Sequence, residues 1–407
     1  MKYVIIGSTV AGIHAAKTLR AHDPASEIYI VSFEINPLGY YDREQMPAHL
    51  VRGASNPDDG LIEDAKQLAA QGITVEYVLM ETVFPKSSQI LLHHGIRVDY
   101  DRLLLAMEST PLIHDAPGTN WVGVHQLRIY EDITWIENWM GEIKQHGAVI
   151  VSNGIQNLDN DGKLGLEMCA ALKQRGAAAT YVTSAPHVGA PYVVEAIGER
   201  VARKLTADGI TVITNQTVSA YVSDDDAVLD AVDLADGRRI PTRMALSTIG
   251  AHPTIDVIEE RGIETDEATD AVIVNAQMQT NIPNIYAAGS VASIDGYSAH
   301  NSKQAAEQGR VAALNMVGQA ASYRPFHGDL EAVLYDLPFA YFGTASPDTW
   351  TWAHGDTSYG CVFLADGRVQ GAQLLDVPPA VAAEVFALYE SGAAIQPEQL
   401  AQIFQPA

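Results

Sequence analysis

Short, wholly apolar runs alternate with amphipathic stretches over the first part of the chain. Residues 3–6 (Tyr-Val-Ile-Ile) predict a buried strand, residues 7–12 (Gly-Ser-Thr-Val-Ala-Gly) a tight turn, and residues 13–20 a helix. A second strand is predicted over residues 27–31, and the acidic residue Glu34 follows it. A strand, a glycine turn, a helix, a strand and then an acid are typical of a dinucleotide-binding unit.

The first turn therefore supplies candidate cofactor-binding residues, namely Gly7, Thr9, Ala11, Gly12 and Glu34. Glycines let the backbone approach a pyrophosphate, the helix N-terminus offers unpaired N–H groups, and a carboxylate accepts from ribose hydroxyls. Thr9 stands where the G-x-G-x-x-G motif has its middle glycine. The motif alone therefore leaves open a plain βαβ unit of another kind of α/β protein.

The pattern changes between residues 73 and 107, where short apolar runs are separated by turn residues. Strands are predicted over residues 75–79, 89–93 and 103–105, and their spacing indicates a small antiparallel meander beside the parallel sheet. Residues 111–119 are rich in proline, glycine and polar residues, which predicts a linker.

A second βαβ unit begins after this linker. Strands are predicted over residues 148–151 and 179–182, with a helix over residues 163–175 between them. The turn before that helix is long and contains Asp159 and Asp161. Asp-Gly pairs at residues 236–237 and 366–367 each predict a hairpin. The predicted fold class is α/β, with two Rossmann-like dinucleotide-binding domains and a small α+β C-terminal domain.

Composition and charge narrow the classes of function. Fifty acidic against 25 basic residues give a net charge of −25, which disfavours binding to nucleic acid or to an anionic membrane surface. No apolar run reaches the roughly 18 residues that a membrane span needs. Two cysteines, Cys169 and Cys361, exclude a disulfide-stapled scaffold and a cysteine-rich metal site. We expect a cytoplasmic protein, and no metal site is predicted.

Four further motifs occur along the chain: Tyr40-Tyr41-Asp42-Arg43 with Pro47 and Gly53, Ile249-Gly250-Ala251-His252-Pro253, the run from Thr280 to Gly289 (T-N-I-P-N-I-Y-A-A-G), and Ala305-Ala306-Glu307-Gln308-Gly309-Arg310. In this order they resemble the motifs of the pyridine nucleotide–disulfide reductase superfamily of flavoproteins. The C-terminal residues 359–375 and 384–404 resemble the cysteine-free branch, which holds NADH:rubredoxin reductases, ferredoxin reductases and the flavin portion of nitrite reductases.

The resemblance implies an FAD domain made of residues 1–112 and 241–320. An NAD(P)H domain over residues 113–240 would be inserted between them, and a C-terminal domain over residues 321–407 would follow. NADH or NADPH would pass a hydride to FAD, and the reduced flavin would pass electrons to a small-molecule or protein acceptor, such as a rubredoxin, a ferredoxin, a quinone, oxygen or a partner subunit. A homodimer is also compatible with the resemblance.

The resemblance also adds site residues. Arg43, Val83, Gly289 and Ser290 join the first turn as candidate FAD-binding residues, and Glu167 corresponds to the glutamate near the nicotinamide carboxamide. A first-turn glutamate that favours the helix dipole is the alternative interpretation of Glu167. Coenzyme A-disulfide reductases carry their redox cysteine about where Glu44 falls here, and a carboxylate cannot form a mixed disulfide. The resemblance therefore implies an acceptor other than a disulfide.

Four departures from the superfamily pattern support a second hypothesis. Ser290 replaces the aspartate of A-A-G-D, and Glu108 follows the meander where glycine is usual. The second turn is acidic instead of G-x-G, and the next strand ends in Thr183-Ser184 without an acid for an NAD ribose and without an arginine for a 2′-phosphate. Acidic groups near a pyrophosphate repel it. The alternative is therefore an FAD-carrying or degenerate subunit of a larger redox complex, without its own NAD(P)H site.

Overall fold

The computed structural model describes residues 1–32, 39–53, 61–107, 109–127, 129–154, 160–299 and 301–405. In these ranges the helices are α1 (Val10–His22), α2 (Met46–Arg52), α3 (Ala65–Ala70), α4 (Tyr130–His146), α5 (Asn160–Gln174), α6 (Glu195–Ala207), α7 (Ser302–Met316), α8 (Pro379–Ser391) and α9 (Pro397–Ile403). The strands are β1 (Lys2–Ile6), β2 (Glu27–Ser32), β3 (Gly39–Tyr41), β4 (Leu61–Asp64), β5 (Ile73–Tyr77), β6 (Met80–Phe84), β7 (Gln89–Leu92), β8 (Ile96–Asp99), β9 (Arg102–Leu105), β10 (Ser109–Pro111), β11 (Val124–His125), β12 (Ala148–Ser152), β13 (Ala179–Thr183), β14 (Thr211–Ile213), β15 (Val218–Ser223), β16 (Leu229–Leu234), β17 (Arg239–Pro241), β18 (Met244–Thr248), β19 (Ala251–Pro253), β20 (Val272–Ile273), β21 (Ile285–Ala287), β22 (Ala292–Ser293), β23 (Gly328–Leu334), β24 (Leu337–Gly343), β25 (Asp348–His354), β26 (Ser358–Ala365) and β27 (Arg368–Leu375).

The chain divides into two compact units. Unit 1 consists of Met1–Pro111, Arg128–Thr134 and Ala251–Pro325. Unit 2 consists of Leu112–Leu127, Trp135–Gly250 and Phe326–Ala407. The division into four segments drawn from the resemblance stays a prediction.

Unit 1 is built on a five-stranded sheet in the order β21-β9-β1-β2-β5, and all neighbouring strands are parallel. The central strand β1 is apolar on both faces, and Val4 and Ile5 are fully buried, as expected where helices cover both sides of a parallel sheet. Helices α1 and α7 pack against each other, and their apolar residues join the sheet in one core. Strands that come from distant parts of the chain therefore end side by side at one edge of the sheet.

The antiparallel meander of unit 1 differs in membership from the prediction. The structure builds it from β6, β7 and β8, whereas β5 pairs in parallel with β2, and β9 pairs in parallel with β1. The predicted strands at residues 75–79 and 103–105 were therefore assigned to the wrong sheet. Short apolar runs do not reveal the direction of pairing, which tertiary contacts decide.

Unit 2 contains a second parallel sheet in the order β11-β18-β12-β13-β14, with α5 packed on β12, β13 and β18. Every residue of β12 and β18 is buried, and both strands begin with an apolar run, as is usual in a parallel sheet covered on both faces. An antiparallel sheet, β15-β16-β17, contains the predicted Asp-Gly hairpin at residues 236–237.

Unit 2 also contains the antiparallel sheet β23-β24-β27-β26-β25 with helices α8 and α9. The hairpin between β26 and β27 lies where the second Asp-Gly pair predicts it. Two parallel Rossmann-like sheets and a small α+β C-terminal part confirm the predicted fold class. No helix in the described ranges combines the length and the apolar character needed to cross a bilayer.

Candidate functional site

The first turn, residues 7–12, lies at the carboxyl edge of the sheet in unit 1. Gly7 follows β1 with a φ of +110°, and a Cβ atom there would lie 2.2 Å from the carbonyl oxygen of Ala106, which follows β9. The N–H of Gly7 donates to the carbonyl oxygen of Val31 (2.8 Å), and the hydroxyls of Ser8 and Ser32 are 2.7 Å apart. Only glycine fits this position, because the backbones at the ends of the two strands almost touch.

Thr9 caps the helix that follows the turn. Its Oγ1 accepts from the N–H of Gly12 (3.1 Å) and donates to the carbonyl oxygen of Ala106 (3.0 Å). A threonine is a good N-cap because its hydroxyl binds one of the unpaired N–H groups of the first turn. Thr9, which replaces the middle glycine of the G-x-G-x-x-G motif, therefore defines the start of α1 and connects it to the residue that follows β9.

Small residues allow α1 to pack closely against its neighbours. A Cβ atom at Gly12 would lie 2.1 Å from the carbonyl oxygen of Gly7, and one at Gly309 of α7 would lie 2.2 Å from the carbonyl oxygen of Ala11. Ala11 is itself almost fully buried. The N-terminus of α1 is thus held at the sheet edge by contacts that tolerate no larger residue.

The segment after β21 meets the first turn from the other side. Gly289 has a φ of +84°, and a Cβ atom there would lie 3.2 Å from the Cβ of Ala11. Its N–H donates to Oε1 of the buried Gln308 in α7 (2.8 Å). Ser290 follows and is half-buried. Gly7, Thr9, Ala11, Gly12 and Gly289 therefore come together.

The other predicted FAD-binding residues are described in part or not at all. Glu34 lies outside the described residues, as does Glu108. Arg43 lies in a short 3₁₀ turn, Arg43–Gln45, and its side chain is not described. Val83 is fully buried in β6, where it pairs with Ile90 of β7 and belongs to the apolar core of unit 1. The roles of these residues stay predictions.

The carboxyl edge of this sheet fits the pyrophosphate of FAD. A helix N-terminus begins there, and N–H groups in its first turn have no partner within the helix. Glycines at positions 7, 12 and 289 leave backbone without side chains around that N-terminus. A phosphate can therefore approach the main chain closely, as dinucleotide binding requires.

The carboxyl edge of the second sheet is lined by buried hydroxyl groups. Ser152 Oγ accepts from the N–H of Gly154 (3.1 Å), and Thr183 Oγ1 accepts from the N–H of Ala185 (3.2 Å). A Cβ atom at Gly154 would lie 2.0 Å from the carbonyl oxygen of Ala190. The turn after β12 therefore depends on a glycine, even though the sequence lacks G-x-G at this place.

Helix α5 packs closely on this second sheet. A Cβ atom at Gly165 would lie 2.6 Å from Oγ1 of Thr248, and that hydroxyl donates to the carbonyl oxygen of Val151 (3.0 Å). Glu167 lies two residues further along α5 and is half-buried. Residues 155–159, which include Asp159, lie outside the described part of the chain, and the side chain of Asp161 is not described.

Both cysteines are buried and unpaired. Burial raises the pKa of the Cys361 thiol to about 11 and raises that of Cys169 further above its ordinary value. A thiol with such a pKa is protonated near neutral pH, and the thiolate is the reactive form. Neither cysteine is therefore suited to disulfide chemistry, in agreement with the sequence argument.

Two residues of α7 contribute to the site at the N-terminus of α1, although the sequence analysis did not name them as candidate site residues. Gln308 binds the Gly289 N–H, and Gly309 admits the α1 backbone. Both lie in the motif A-A-E-Q-G-R, where a buried polar residue next to a glycine, within a stretch of small residues, was the available signal. Their role follows from the packing of α7 against α1, which the sequence alone does not show.

Comparison with known proteins gives a consistent result. The family model described as "Pyridine nucleotide-disulphide oxidoreductase" matches residues 1–313. An NADH oxidase of Methanocaldococcus jannaschii is 28% identical over 351 residues, which cover 83% of this chain and 75% of that protein. The epsilon subunit of the NADH-dependent phenylglyoxylate dehydrogenase of Aromatoleum evansii is 24% identical over 323 residues, covering 78% of this chain and 72% of the subunit.

Solved structures agree with the fold. The ferredoxin reductase for the CYP199A2 system from Rhodopseudomonas palustris superposes with a TM-score of 0.84 at 22% identity. The match covers 98% of this chain and 97% of that chain. At this level of identity the superposition establishes the architecture.

Proposed function

The chain belongs to the pyridine nucleotide-disulphide oxidoreductase family, and from this membership we propose that it passes electrons from NAD(P)H through FAD to an acceptor that is not a disulfide. The resemblance drawn from the motifs is thus confirmed, and the protein is an FAD-dependent oxidoreductase that uses NAD(P)H. Bound FAD supplies the redox chemistry, because it accepts a hydride and releases electrons. The protein supplies binding, position and electrostatics.

One observation carries the proposal: the convergence of Gly7, Gly12 and Gly289 at the N-terminus of α1. Backbone N–H groups and the helix dipole favour a dinucleotide pyrophosphate there. Thr9 holds the helix start in place through its cap and its bond to Ala106. Ser290 would bind the ribityl chain of FAD through a neutral hydroxyl.

The remaining roles follow the resemblance. Glu34 would bind a ribose of FAD, Arg43 and Val83 would line the FAD site, and Glu167 would contact the nicotinamide carboxamide. The FAD domain would comprise residues 1–112 and 241–320, with the NAD(P)H domain between them and the C-terminal domain after them.

The acceptor is proposed to be a small molecule or a redox protein. The burial of both cysteines and the raised pKa of each thiol support an acceptor other than a disulfide. A relative is named the ferredoxin--NAD(+) reductase component of a biphenyl dioxygenase system, and a ferredoxin is therefore one candidate. Oxygen is another, because a relative is named an NADH oxidase. A cytoplasmic location and a homodimer are also proposed.

Spectroscopy of the purified protein tests the proposal directly. We expect a yellow protein with the absorbance bands of FAD, which bleach when NADH or NADPH is added without oxygen. The acceptor is then identified by adding oxygen, a quinone, a rubredoxin or a ferredoxin to the reduced protein. A colourless protein that FAD does not reconstitute would refute the proposal.

A pair of glycine variants tests whether the convergent turn holds FAD. Gly289→Ala and Gly209→Ala both place alanine at nearly the same backbone angle, with φ of +84° and +86°. Nothing lies within 4 Å of an added Cβ at Gly209, whereas one at Gly289 meets α1. We expect FAD to dissociate more readily from Gly289→Ala alone. Equal FAD affinity in the two variants would contradict the assignment.

A second candidate function is that of an FAD-carrying subunit in a larger redox complex. The similarity to a protein named as a dehydrogenase subunit favours it, as do the acidic residues Asp159 and Asp161 in the sequence at the start of this unit. The same titration separates the two candidates. A yellow protein that neither NADH nor NADPH reduces supports the subunit, whereas bleaching supports the enzyme.

A further inference from the structure

Strand β25 forms one edge of the antiparallel sheet in the C-terminal part of unit 2. Among the described residues it pairs with β26 only, over seven residues and without a register shift. Five of its seven residues are exposed. The N–H and C=O groups on the outer side of such a strand can form a ladder with a strand of another chain.

The opposite edge of this sheet is protected in ways that β25 is not. Strand β23 has a register shift between Asp329 and Ala332, and it carries two acidic residues, Asp329 and Glu331. A bulge and like charges both hinder the pairing of a sheet edge with a second copy. Strand β25 contains no lysine and no proline, which are common protecting residues at an edge. The unprotected edge of the sheet is therefore β25.

The sequence of β25 is chemically complementary to itself. When two copies of the strand run antiparallel about Thr351, this residue lies opposite itself, and residues equally far from it on either side lie opposite each other. The resulting pairs are Thr349 with Ala353, Trp350 with Trp352, and Asp348 with His354. Aromatic pairs, threonine pairs and an acidic residue opposite a basic one stabilise antiparallel strands. A second copy of the same strand is therefore a suitable partner.

The side chains of β25 are already ordered for this pairing. Trp350 and Trp352 pack on the buried Phe404 of α9, with ring centroids 4.9 and 5.3 Å from it, and both tryptophans stay partly exposed. The ring of His354 stacks on Trp352 (5.9 Å). Neither Asp348 nor His354 has an ion-pair partner within the described part of the chain. Side chains that are ordered before association lose little freedom when a partner arrives.

We propose that β25 is the surface through which two copies of this chain associate, as an antiparallel pair of strands centred on Thr351. The inference rests on the proposed homodimer and names the contact that forms it. A two-fold axis through Thr351 uses the same strand in both copies and leaves neither copy with a free β25 edge. Seven residues per copy are fewer than the about 20–30 of a standard stable interface, so the dimer should dissociate on dilution.

Cysteine cross-linking of the FAD-loaded full-length protein tests this register. Directly opposite residues of an antiparallel pair have Cα atoms about 4.5–5.5 Å apart, which a disulfide can bridge. Thr351→Cys should therefore give a covalent dimer on a non-reducing gel when copper phenanthroline is the oxidant. Both native cysteines are buried and do not compete.

Thr349→Cys is the matched control for the cross-link. It places the same thiol at another exposed threonine of the same strand, on the same face. In the proposed pair the two copies of residue 349 are about 13 Å apart along the strands, which is too far for a disulfide. We therefore expect no covalent dimer from Thr349→Cys.

Sedimentation without cross-linking gives a second measurement. It is made in about 0.15 M salt, where the repulsion between two net charges of −25 is screened beyond about 8 Å. Thr351→Lys places two like charges directly opposite each other and should weaken the dimer about threefold. Thr349→Lys adds the same charge opposite Ala353 and should dimerise at least as well as wild type.

The outcomes separate this surface from the homodimer and from the redox function. Equal cross-linking of the two cysteine variants would overturn the assignment of β25. Cross-linking of neither variant in a protein that still dimerises would do the same, because the dimer would then use another surface. A monomer at every concentration would overturn the homodimer itself. Bleaching of FAD by NADH or NADPH is measured on the same samples, so the redox function is tested separately.

Discussion

Substitution of Asp208 should lower the free energy of unfolding of unit 2, and the size of the effect follows from the interactions of this carboxylate. Asp208 follows α6, and its Oδ2 pairs with Lys204, lies 2.5 Å from the Lys173 ammonium and accepts from the hydroxyl of Tyr335 at 3.0 Å. Tyr335 lies between β23 and β24. One carboxylate oxygen therefore connects α5, α6 and the C-terminal sheet.

The pKa of Asp208 gives the magnitude. Hydrogen bonds from Lys173 and Lys204 lower the pKa of this carboxyl from 3.8 to about 2. One pKa unit corresponds to about 1.4 kcal/mol, but water screens part of the interaction because the Lys173 side chain is 37% exposed. The ionised form therefore contributes about 1–2 kcal/mol to folding at neutral pH. The pKa is lower in the folded chain than in the unfolded one. The contribution is therefore complete above about pH 4 and is lost as the pH falls toward 2.

Asp208→Asn removes this charge and leaves two neighbouring ammonium groups without a shared counter-ion. We expect the free energy of unfolding to fall by about 1–2 kcal/mol at pH 7. Tryptophan fluorescence during urea unfolding is a suitable measurement, because Trp121, Trp135, Trp139, Trp350 and Trp352 all lie in unit 2. The signal therefore reports the unit that contains the substitution.

A matched substitution decides whether the network or the lost charge is responsible. Asp236→Asn is the same chemical change at a more exposed pair, where Asp236 binds Arg238 in a hairpin turn. Exposed pairs contribute little to stability, so this variant should unfold close to wild type. The gap between Asp208→Asn and wild type should also narrow below pH 4. Equal stability of the two variants at pH 7 would refute the reasoning.

Three further predictions concern other parts of the chain. Replacing Cys169 and Cys361 by alanine should leave the NADH-dependent reduction of ferricyanide unchanged, because both thiols are buried and protonated at neutral pH. Gly309→Ala should lower the melting temperature and release FAD, since its Cβ would lie 2.2 Å from the α1 backbone, whereas Gly318→Ala, with nothing within 4 Å, should keep its FAD. Gln373→Leu should destabilise unit 2 by about 2–4 kcal/mol in urea unfolding. The Gln373 amide accepts a hydrogen bond from one main-chain N–H (2.9 Å) and donates one to a main-chain carbonyl (2.8 Å), and both main-chain groups would lose their partner.

The sequence allowed the parallel units to be predicted because their strands are buried on both faces. Residues 3–6 and 148–151 are continuous apolar runs followed by turn signals, and both are central strands of a parallel sheet. The pairing of β5 and β9 was predicted wrongly, since their apolar runs are equally compatible with a meander. Pairing direction depends on which strands lie nearby, and local periodicity contains no information about that.

At the N-terminus of α1, the sequence allowed site residues to be predicted where the backbone geometry permits only glycine. Gly7, Gly12 and Gly289 are each placed where a Cβ would meet another segment, and all three were selected from motifs. Gln308 was not selected, because its function depends on accepting from the N–H of Gly289 across the packing of α7. A hydrogen bond between a side chain and a backbone group far away in the sequence leaves no pattern of residue spacing from which it could be predicted.

The second nucleotide-binding unit shows why a weak motif does not settle whether nucleotide binding is lost. Gly154 and Gly165 admit close contacts with Ala190 and Thr248, so the turn and the helix keep glycine where the packing needs it, although no G-x-G is present. The enzyme and subunit hypotheses therefore differ in whether this unit binds a nicotinamide nucleotide. Anaerobic titration with NADH and NADPH decides between them.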